Sequence, residues 1–418
     1  MTTINSGAAS AAGRETAIHN DDMTAPRKPL GLYLHIPFCI RKCNYCDFLS
    51  FGGVQEEEQK AYFHALAREI RYYGKIYNNK YYVDTIFIGG GTPSLVEEGL
   101  IDWLMTAVRE SFVVVEDAEI SIESNPKTLT DRKLNAYMES GINRISIGVQ
   151  SFDDGLLNDM GRVHNAEDFF KNYSVARECG FRNINIDLMF AIPGQTLKIW
   201  KDTLERAIGL APEHISFYSL QLEEGTPFFS MFQEGSLKQV DDELDRAMYH
   251  TAVGMLSDAG YGHYEISNAA KAGFQCRHNL KYWSMDDSLG LGLGAHSFMD
   301  GTRASNVTDL EEYIRAGLAE SSRAGREADD MSGSPFIQQR HRNTREDDIS
   351  EYLFTGLRKI RGIYLPDFQR RFGVSLDTIH GRTLEKYLAG RLLEMQDGWL
   401  RFTEKGIDIS NTVLAEFV

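Results

Sequence analysis

Cysteine is scarce in these 418 residues, five in all, too few and too unevenly spaced for a disulfide framework. Apolar runs are short, and none approaches the roughly 20 residues that a membrane helix needs, so no integral membrane segment is expected. The first residues carry Glu15, Asp21 and Asp22 without an apolar stretch; a secretory signal is not expected, and the cytoplasm is the expected location. Basic residues are outnumbered, 44 Lys plus Arg against 60 Asp plus Glu, for a net charge of −16. Such a chain repels phosphate backbones, and with no local basic cluster it is not expected to bind nucleic acid. What is present, 42% hydrophobic residues with 11% aromatic, suffices for a real core and excludes wholesale disorder.

Residues 1–29, rich in Ala, Thr, Ser and Asn without apolar period, read as a mobile tail. From residue 30 short β-branched runs alternate with stretches of helical spacing, as in βα units around a parallel sheet. The runs predict strands at 31–36, 83–88, 118–123, 142–149, 182–189 and 214–220, and helices over 55–77, 95–110, 130–139, 165–179 and 197–209. Six strands predict an α/β core over 30–240 built as a partial (β/α)6, TIM-like barrel, with an extension over 241–320. Polar residues follow the strands, Gly89 to Thr92, Glu123 and Gln150, where parallel α/β folds place their ligand face. Residues 321–345 lack an apolar period and read as a loop or linker. Beyond them Ile349, Tyr352, Leu353, Leu357 and Ile360 keep helical spacing behind a Thr344/Asp347 capping box. A helix near 375–395 and strands around Trp399–Phe402 complete a small α+β, winged-helix-like domain over 346–418. Residues 342–418 hold 12 basic and 12 acidic side chains, so the basic footprint of a DNA reader is missing and a lid or docking role is expected.

Three of the cysteines, Cys39, Cys43 and Cys46, fall within eight residues directly after the first strand. Thiolates at that spacing in a reduced compartment argue for a metal site, an iron–sulfur cluster or zinc, against three merely buried thiols. A fourth nearby cysteine is absent, and His35 has no evident partner in the sequence. Three thiolates on a cubane would leave one iron open for chemistry. Gly290-Leu-Gly-Leu-Gly294-Ala-His296 superficially matches a dinucleotide fingerprint, but it lies outside the βα repeat without a following helix and acidic partner; it reads as a tight backbone passage over the barrel mouth. Cys179, before Gly180, reads as packing.

The CxxxCxxC run after one strand and Gly89-Gly-Gly-Thr-Pro93 after the next resemble the radical S-adenosylmethionine (SAM) superfamily. The finer resemblance is to its oxygen-independent coproporphyrinogen oxidase branch and, within that, to the HemW-type heme chaperones. It rests on Tyr33-Leu-His-Ile-Pro-Phe-Cys39, Cys46-Asp-Phe48, Glu123-Ser-Asn-Pro126, Gly148-Val-Gln-Ser151, Asn185-Ile-Asp187, Tyr264-Glu-Ile-Ser-Asn268 and Cys276-Arg-His-Asn-Leu-Lys-Tyr-Trp283, and it covers residues 31–418. The resemblance implies that Cys39, Cys43 and Cys46 hold a 4Fe-4S cluster whose open iron chelates SAM. It also implies that Tyr33, Tyr45, Gly90, Gly91, Thr92, Glu123, Gln150, Arg162 and Asp187 meet SAM. The chemistry suits them: a glycine turn lets backbone approach a ligand, Glu123 and Arg162 match the charged ends of methionine, and Gln150 and Asp187 can bond the nucleoside.

One departure bears on activity. Coproporphyrinogen oxidases of this branch carry a further cysteine two residues after the third, where this chain has Phe48. The HNxxYW pattern over 278–283 resembles instead the heme-associated motif of the HemW-type proteins, and the resemblance implies a heme site: His278 would be an axial ligand, Tyr282 and Trp283 would face the macrocycle, and Cys276 would be a second ligand or a small buried group. The expected function is binding heme and handing it to an acceptor protein, with an electron donor for the cluster; neither protein is identified by the sequence, and no catalytic residue is assigned. Coproporphyrinogen III dehydrogenase, a radical SAM methyltransferase and a purely structural metal protein are the alternatives.

Overall fold

A computed structural model describes residues 26–320 and 331–417; residues 1–25 of the expected tail and 321–330 of the expected linker lie outside them. Six strands form the parallel core: β1 (Lys28–Ile36), then, after the two-residue strands β2 (Phe38–Cys39) and β3 (Phe51–Gly52), β4 (Tyr81–Gly90), β5 (Val114–Ser124), β6 (Arg144–Gln150), β7 (Ile184–Phe190) and β8 (His214–Ser219). They stand side by side in chain order, each pair parallel. The expected helices are found at Glu56–Tyr77, Glu98–Ser111, Asp131–Glu139, Ala166–Cys179 and Leu197–Gly209. Local chemistry sets their limits: Thr130, Asn165 and Thr196 cap N-termini through side-chain oxygens, and Gly180 closes a C-terminus at φ 112°.

Side-chain alternation across the register sorts the sheet into two faces. One row runs Leu32, Ile86, Ile120 and the next Ile122, Ile145, Ile184, Ile215's neighbour Ile186 following one pair on. These aliphatics are buried with Leu66, Ile70, Leu104, Val108, Leu134 and Leu204 of the surrounding helices, each contributing roughly 1.5–3 kcal/mol by leaving water. The intervening row, Tyr33, Phe87, Ser121 and Arg144, continued by Glu123, Ser146, Asn185 and His214, is polar or aromatic and lines the lumen. An apolar outer layer thus holds the barrel together and leaves its interior free for chemistry.

Both edges of the parallel core carry further strands. Beyond β8 lie antiparallel β10 (Asn268–Ala270) and β9 (Gly262–Glu265); beyond β1 lie β11 (Ser288–Leu291), parallel to it, and then antiparallel β12 (His296–Met299), β13 (Thr302–Asn306) and β14 (Ile337–Arg342). Three expectations are corrected here. The first strand begins at Lys28, inside the expected tail. The Gly290–Gly294 stretch is no passage over the mouth: its first half is β11, where a Cβ on Gly290 would come within 2.2 Å of the His296 carbonyl oxygen. The expected linker contains β14, an edge strand whose side chains from Gln338 to Arg342 are exposed, so no alternation betrays it.

The C-terminal unit is winged-helix-like as expected. It runs from helix Arg345–Gly356, behind its Thr344/Asp347 capping box, through strand Ile363–Tyr364 and helices Leu365–Phe372 and Leu376–Ala389 to the hairpin Leu393–Gln396/Trp399–Phe402. It has its own core, including Leu353, Phe368, Leu384, Leu400 and Phe417. Among the described residues no helix is long and apolar enough to cross a membrane.

Candidate functional site

The C-terminal ends of β1, β4, β5, β6 and β7 converge on the loop after β1. That loop is pinned on both sides: β2 pairs with β3 across it, Asn44 N–H donates to the Met160 carbonyl at 2.9 Å, and the Arg41 guanidinium donates to the Gly161 carbonyl at 2.7 Å. Cys39, Cys43 and Cys46 are all partly exposed there. Cys39 Sγ lies 3.6 Å from Thr92 Oγ1, and Arg162 Nη1 donates to Cys43 Sγ at 3.6 Å. Burial pushes the Cys39 thiol up and the Cys46 thiol up to about 11, so both are protonated at neutral pH until a metal takes the proton's place. Among the described residues no three His, Cys, Asp or Glu side chains are set around a point where one ion could sit. A cubane, which takes each thiolate on a different iron, does not need them to be.

His35, the partnerless histidine of the sequence, is no fourth ligand. Its Nε2–H donates to the Leu49 carbonyl at 2.9 Å, and Nδ1 accepts from the Tyr33 hydroxyl at 2.9 Å. Burial holds its pKa below the usual imidazole range. The ring therefore ties strand end, Tyr33 and the exit of the cysteine loop together.

The glycine turn closes on the same point. Gly90 has φ 118°, and a Cβ there would stand 2.5 Å from the His35 ring; a Cβ on Gly91 would stand 2.8 Å from the Phe38 carbonyl oxygen. Gly90 N–H donates to Glu123 at 2.9 Å. Burial, helped by the charge of Asp187, pushes the Glu123 carboxyl up to about 7. Arg162 donates to Asn125 Oδ1 at 2.6 Å and to the Gly148 carbonyl, while Asn125 donates to Thr92 Oγ1 at 2.8 Å. Its buried Nε has no hydrogen-bond partner. A cleft lined by Ile40, Cys43, Thr92, Asn125, Thr128 and Arg162 opens beside it. An orphaned guanidinium N–H in such a cleft fits a ligand carboxylate.

Deeper in the lumen, Asp187 accepts from Ser146 at 2.8 Å and Asn185 at 2.6 Å, and Gln150, at φ 68°, accepts from the Tyr218 hydroxyl at 2.7 Å. Tyr45 packs against Leu156, Leu157 and Met160 beside Arg162. The structure thus gathers Tyr33, Tyr45, Gly90, Gly91, Thr92, Glu123, Gln150, Arg162 and Asp187 around the three cysteines. Cys179 stands apart, at a helix end with its thiol 3.9 Å from the Asp131 carbonyl.

Cys276 and His278 are not part of this gathering. His278 lies in helix Arg277–Ser284 and Cys276 just before its first residue; the helix closes the other end of the barrel, level with Thr85 and so about 13 Å down β4 from Gly89 at a strand rise of 3.3 Å. Glu119 caps that helix, accepting from the amides of Arg277 (3.0 Å) and His278 (3.2 Å) and from the Cys276 thiol (3.5 Å). Burial pushes the Cys276 thiol up to about 12, so it sits there as a small neutral group. His278 has both ring nitrogens engaged, Nδ1 with Thr85 Oγ1 and Nε2 with the Tyr282 hydroxyl, each at 2.9 Å. Burial, with Lys281 and Arg144 adding, pushes its pKa down to about 3. Its ring stacks on Phe87 at 5.4 Å. Trp283, half-buried and with its indole nitrogen buried, lies beneath the Arg358 guanidinium of the C-terminal unit, at 4.9 Å.

Asn125, Tyr218, Thr85 and Glu119 were not singled out as site residues from the sequence. The usable signal was polar residues at every second position of otherwise aliphatic strands, as in Glu119-Ile-Ser-Ile-Glu123.

Comparison with known proteins adds three findings. Residues 33–207 match the Radical SAM superfamily and residues 343–409 the HemN C-terminal domain. The chain is 37% identical over 388 residues to a protein named Heme chaperone HemW from Bacillus subtilis, covering 92% of this chain and 98% of that one. It is 34% identical over 397 residues to the Heme chaperone HemW of Escherichia coli, covering 93% and 98%. Its fold resembles the solved coproporphyrinogen III oxidase (HemN) of Escherichia coli, with a TM-score of 0.78, 23% identity and coverage of 94% and 91%.

Proposed function

This chain belongs to the radical SAM superfamily and within it to the HemW family, and on that premise we propose that it binds heme in the cytoplasm and hands it to an acceptor protein. The superfamily implies a 4Fe-4S cluster and SAM; reduced by an external donor, such a cluster supplies one electron to SAM. Cys39, Cys43 and Cys46 would hold the cluster. Their thiols would give up their protons to solvent on holding it. Arg162 would meet the methionine carboxylate with its free Nε–H. Glu123 would meet the amino group, and the side-chain-free turn at Gly90 and Gly91, followed by Thr92, gives the ligand room. Tyr33, Tyr45, Gln150 and Asp187 would orient the rest of SAM. Heme, the cargo, would meet His278 at the far end of the lumen. Cys276, neutral and bonded to Glu119, stays off the iron.

The observation that carries the chaperone reading over porphyrinogen oxidation is Phe48, exposed at 62%, where the oxidases of this branch have their additional thiol. The test is a hemin titration of anaerobically reconstituted protein, with coproporphyrinogen III turnover assayed on the same sample. Stoichiometric heme binding with no porphyrinogen consumed is expected. SAM-dependent decarboxylation without specific heme binding would overturn the reading.

A further inference from the structure

Resting on the heme reading above, we infer that Thr85 and Tyr282 are positioning residues for His278: Thr85 orients the imidazole, and Tyr282 occupies the nitrogen that heme iron takes. Both partners are hydroxyls, which fit either tautomer, and their acidities select one. Each hydroxyl has the imidazole as its partner, Thr85 Oγ1 to Nδ1 and Tyr282 to Nε2. Burial raises the Tyr282 phenol above its ordinary range, yet a phenol remains a stronger acid than an aliphatic alcohol, so Tyr282 is assigned as donor to the Nε2 lone pair and Nδ1–H as donor to Thr85. That is the arrangement of a ligating histidine, whose second nitrogen is held by an outer partner while the first keeps its lone pair for the metal.

The two partners differ in where they lie. Thr85 is fully buried, locked on β4 against the backbone of Gly31, whose Cβ would come within 3.0 Å of its hydroxyl. Tyr282 keeps part of its surface accessible, as do Phe87 and Tyr33 on the lumen row. Phe87 stacks on both His278 and Tyr33, at 5.4 and 6.3 Å, so the aromatic faces open to the lumen lie beside the imidazole. A flat iron macrocycle entering there reaches Tyr282 before His278. Ligation then breaks one bond and makes one: the Tyr282 O–H to Nε2 hydrogen bond opens, the phenol keeps its proton, and the Nε2 lone pair forms a dative bond to iron. No electron changes owner. Glu119, capping the helix through two amides, keeps the backbone fixed while the phenol turns.

The test uses the full chain with hemin as the probe and two conservative variants. Tyr282→Phe removes the competitor for Nε2 and is expected to tighten hemin binding roughly two- to twelve-fold, the range of one net hydrogen bond. Thr85→Val removes the outer partner and is expected to weaken binding roughly 10- to 100-fold, with a lowered iron–histidine stretch in the Raman spectrum of the ferrous form. Wild-type affinity and an unchanged Soret band in both variants would overturn the inference and leave His278 as the floor of the lumen. A second readout needs no heme. Nitrogen-15 shifts of the His278 ring are expected to report the Nδ1–H tautomer, and an Nε2–H tautomer would overturn the inference while leaving the chaperone reading standing. A wild-type chain that binds no hemin, with the Nδ1–H tautomer present, would instead overturn the chaperone reading and with it the ligand role.

Discussion

Glu69 offers the most direct test of how this barrel is held together. It lies on helix Glu56–Tyr77, fully buried, and its carboxyl accepts from Gly292 N–H (2.8 Å), Asn306 Nδ2 (2.7 Å) and the Tyr313 hydroxyl (2.5 Å). The neighbouring Tyr62 hydroxyl donates to the His35 carbonyl at 2.6 Å and accepts from Leu293 N–H at 3.1 Å. Together the two side chains tie the segment after β11 to the end of β1. Burial outweighs the three hydrogen bonds and pushes Glu69 up to about 7 from 4.5. An acid with a raised folded pKa stays protonated in the fold while the unfolded chain already ionises. Its penalty is therefore absent below pH 4.5, grows as pH rises from there to about 7, and is constant above. At 1.36 kcal/mol per pH unit that interval amounts to about 3 kcal/mol. Glu69→Gln keeps the size and an acceptor oxygen but cannot ionise, so the difference in unfolding free energy between variant and wild type is expected to shift by about 3 kcal/mol in the variant's favour between pH 4.5 and 8. Urea unfolding of both proteins across that range measures it, and pH dependences common to both cancel. Curves that stay parallel to within about 1 kcal/mol would refute the reasoning.

The upper end of the barrel yields three further expectations. Because burial pushes Glu123 up to about 7 and an ammonium favours its ionised form, SAM affinity is expected to rise as pH increases from 6 to 8, and to be weaker and flat in Glu123→Gln; calorimetric titration at the two pH values decides. Loading iron and sulfide at pH 7.5 is expected to release protons into a weakly buffered solution, because the Cys46 thiol is pushed up to about 11, and Cys46→Ser is expected to release fewer and hold less iron. Gly90→Ala would drive a methyl to 2.5 Å from the His35 ring at a φ of 118°; loss of SAM binding with a stability cost of roughly 1–3 kcal/mol is expected, and a variant that binds SAM normally would show that the turn has slack.

Much of the barrel was legible because two periodicities are clean in the chain. Ile145, Ile147 and Val149 alternate with Arg144, Ser146 and Gly148, all buried on opposite faces of β6, and capping residues at Thr130, Asn165 and Thr196 mark helix starts. The cysteine loop was legible because its three thiols are neighbours in sequence. What escaped notice lacks either property. Strand β11 is only four residues long and buried throughout, so it has no apolar–polar alternation to read, and β14 exposes five of its six residues. The partners of His278 lie on β4, 193 residues away, and on its own helix four residues on; the motif identifies the histidine, and only the fold says what holds it. The same long separation hid Glu119, which caps a helix some 158 residues downstream.

The two ends of the lumen are joined by one strand, and on the function proposed above that strand is expected to couple them. On β4, Thr85 holds His278, Phe87 stacks between His278 and Tyr33, and Gly90 bonds Glu123. A ligand that orders Tyr33 and Glu123 at the upper end therefore presses on the ring against which His278 rests. Coupling between sites carried by such packed contacts typically amounts to about 1–3 kcal/mol, or about 5- to 150-fold in affinity, and must be reciprocal. SAM is thus expected to change hemin affinity by the same factor by which hemin changes SAM affinity. Replacing Phe87 by Leu keeps the strand apolar but removes both ring stacks, so each ligand is expected to bind with the two affinities independent of one another. Paired titrations of hemin with and without saturating SAM, on wild type and Phe87→Leu, measure the coupling. Equal coupling in the two proteins would place the connection elsewhere, and its absence from wild type would make the barrel's ends separate sites that merely share a wall.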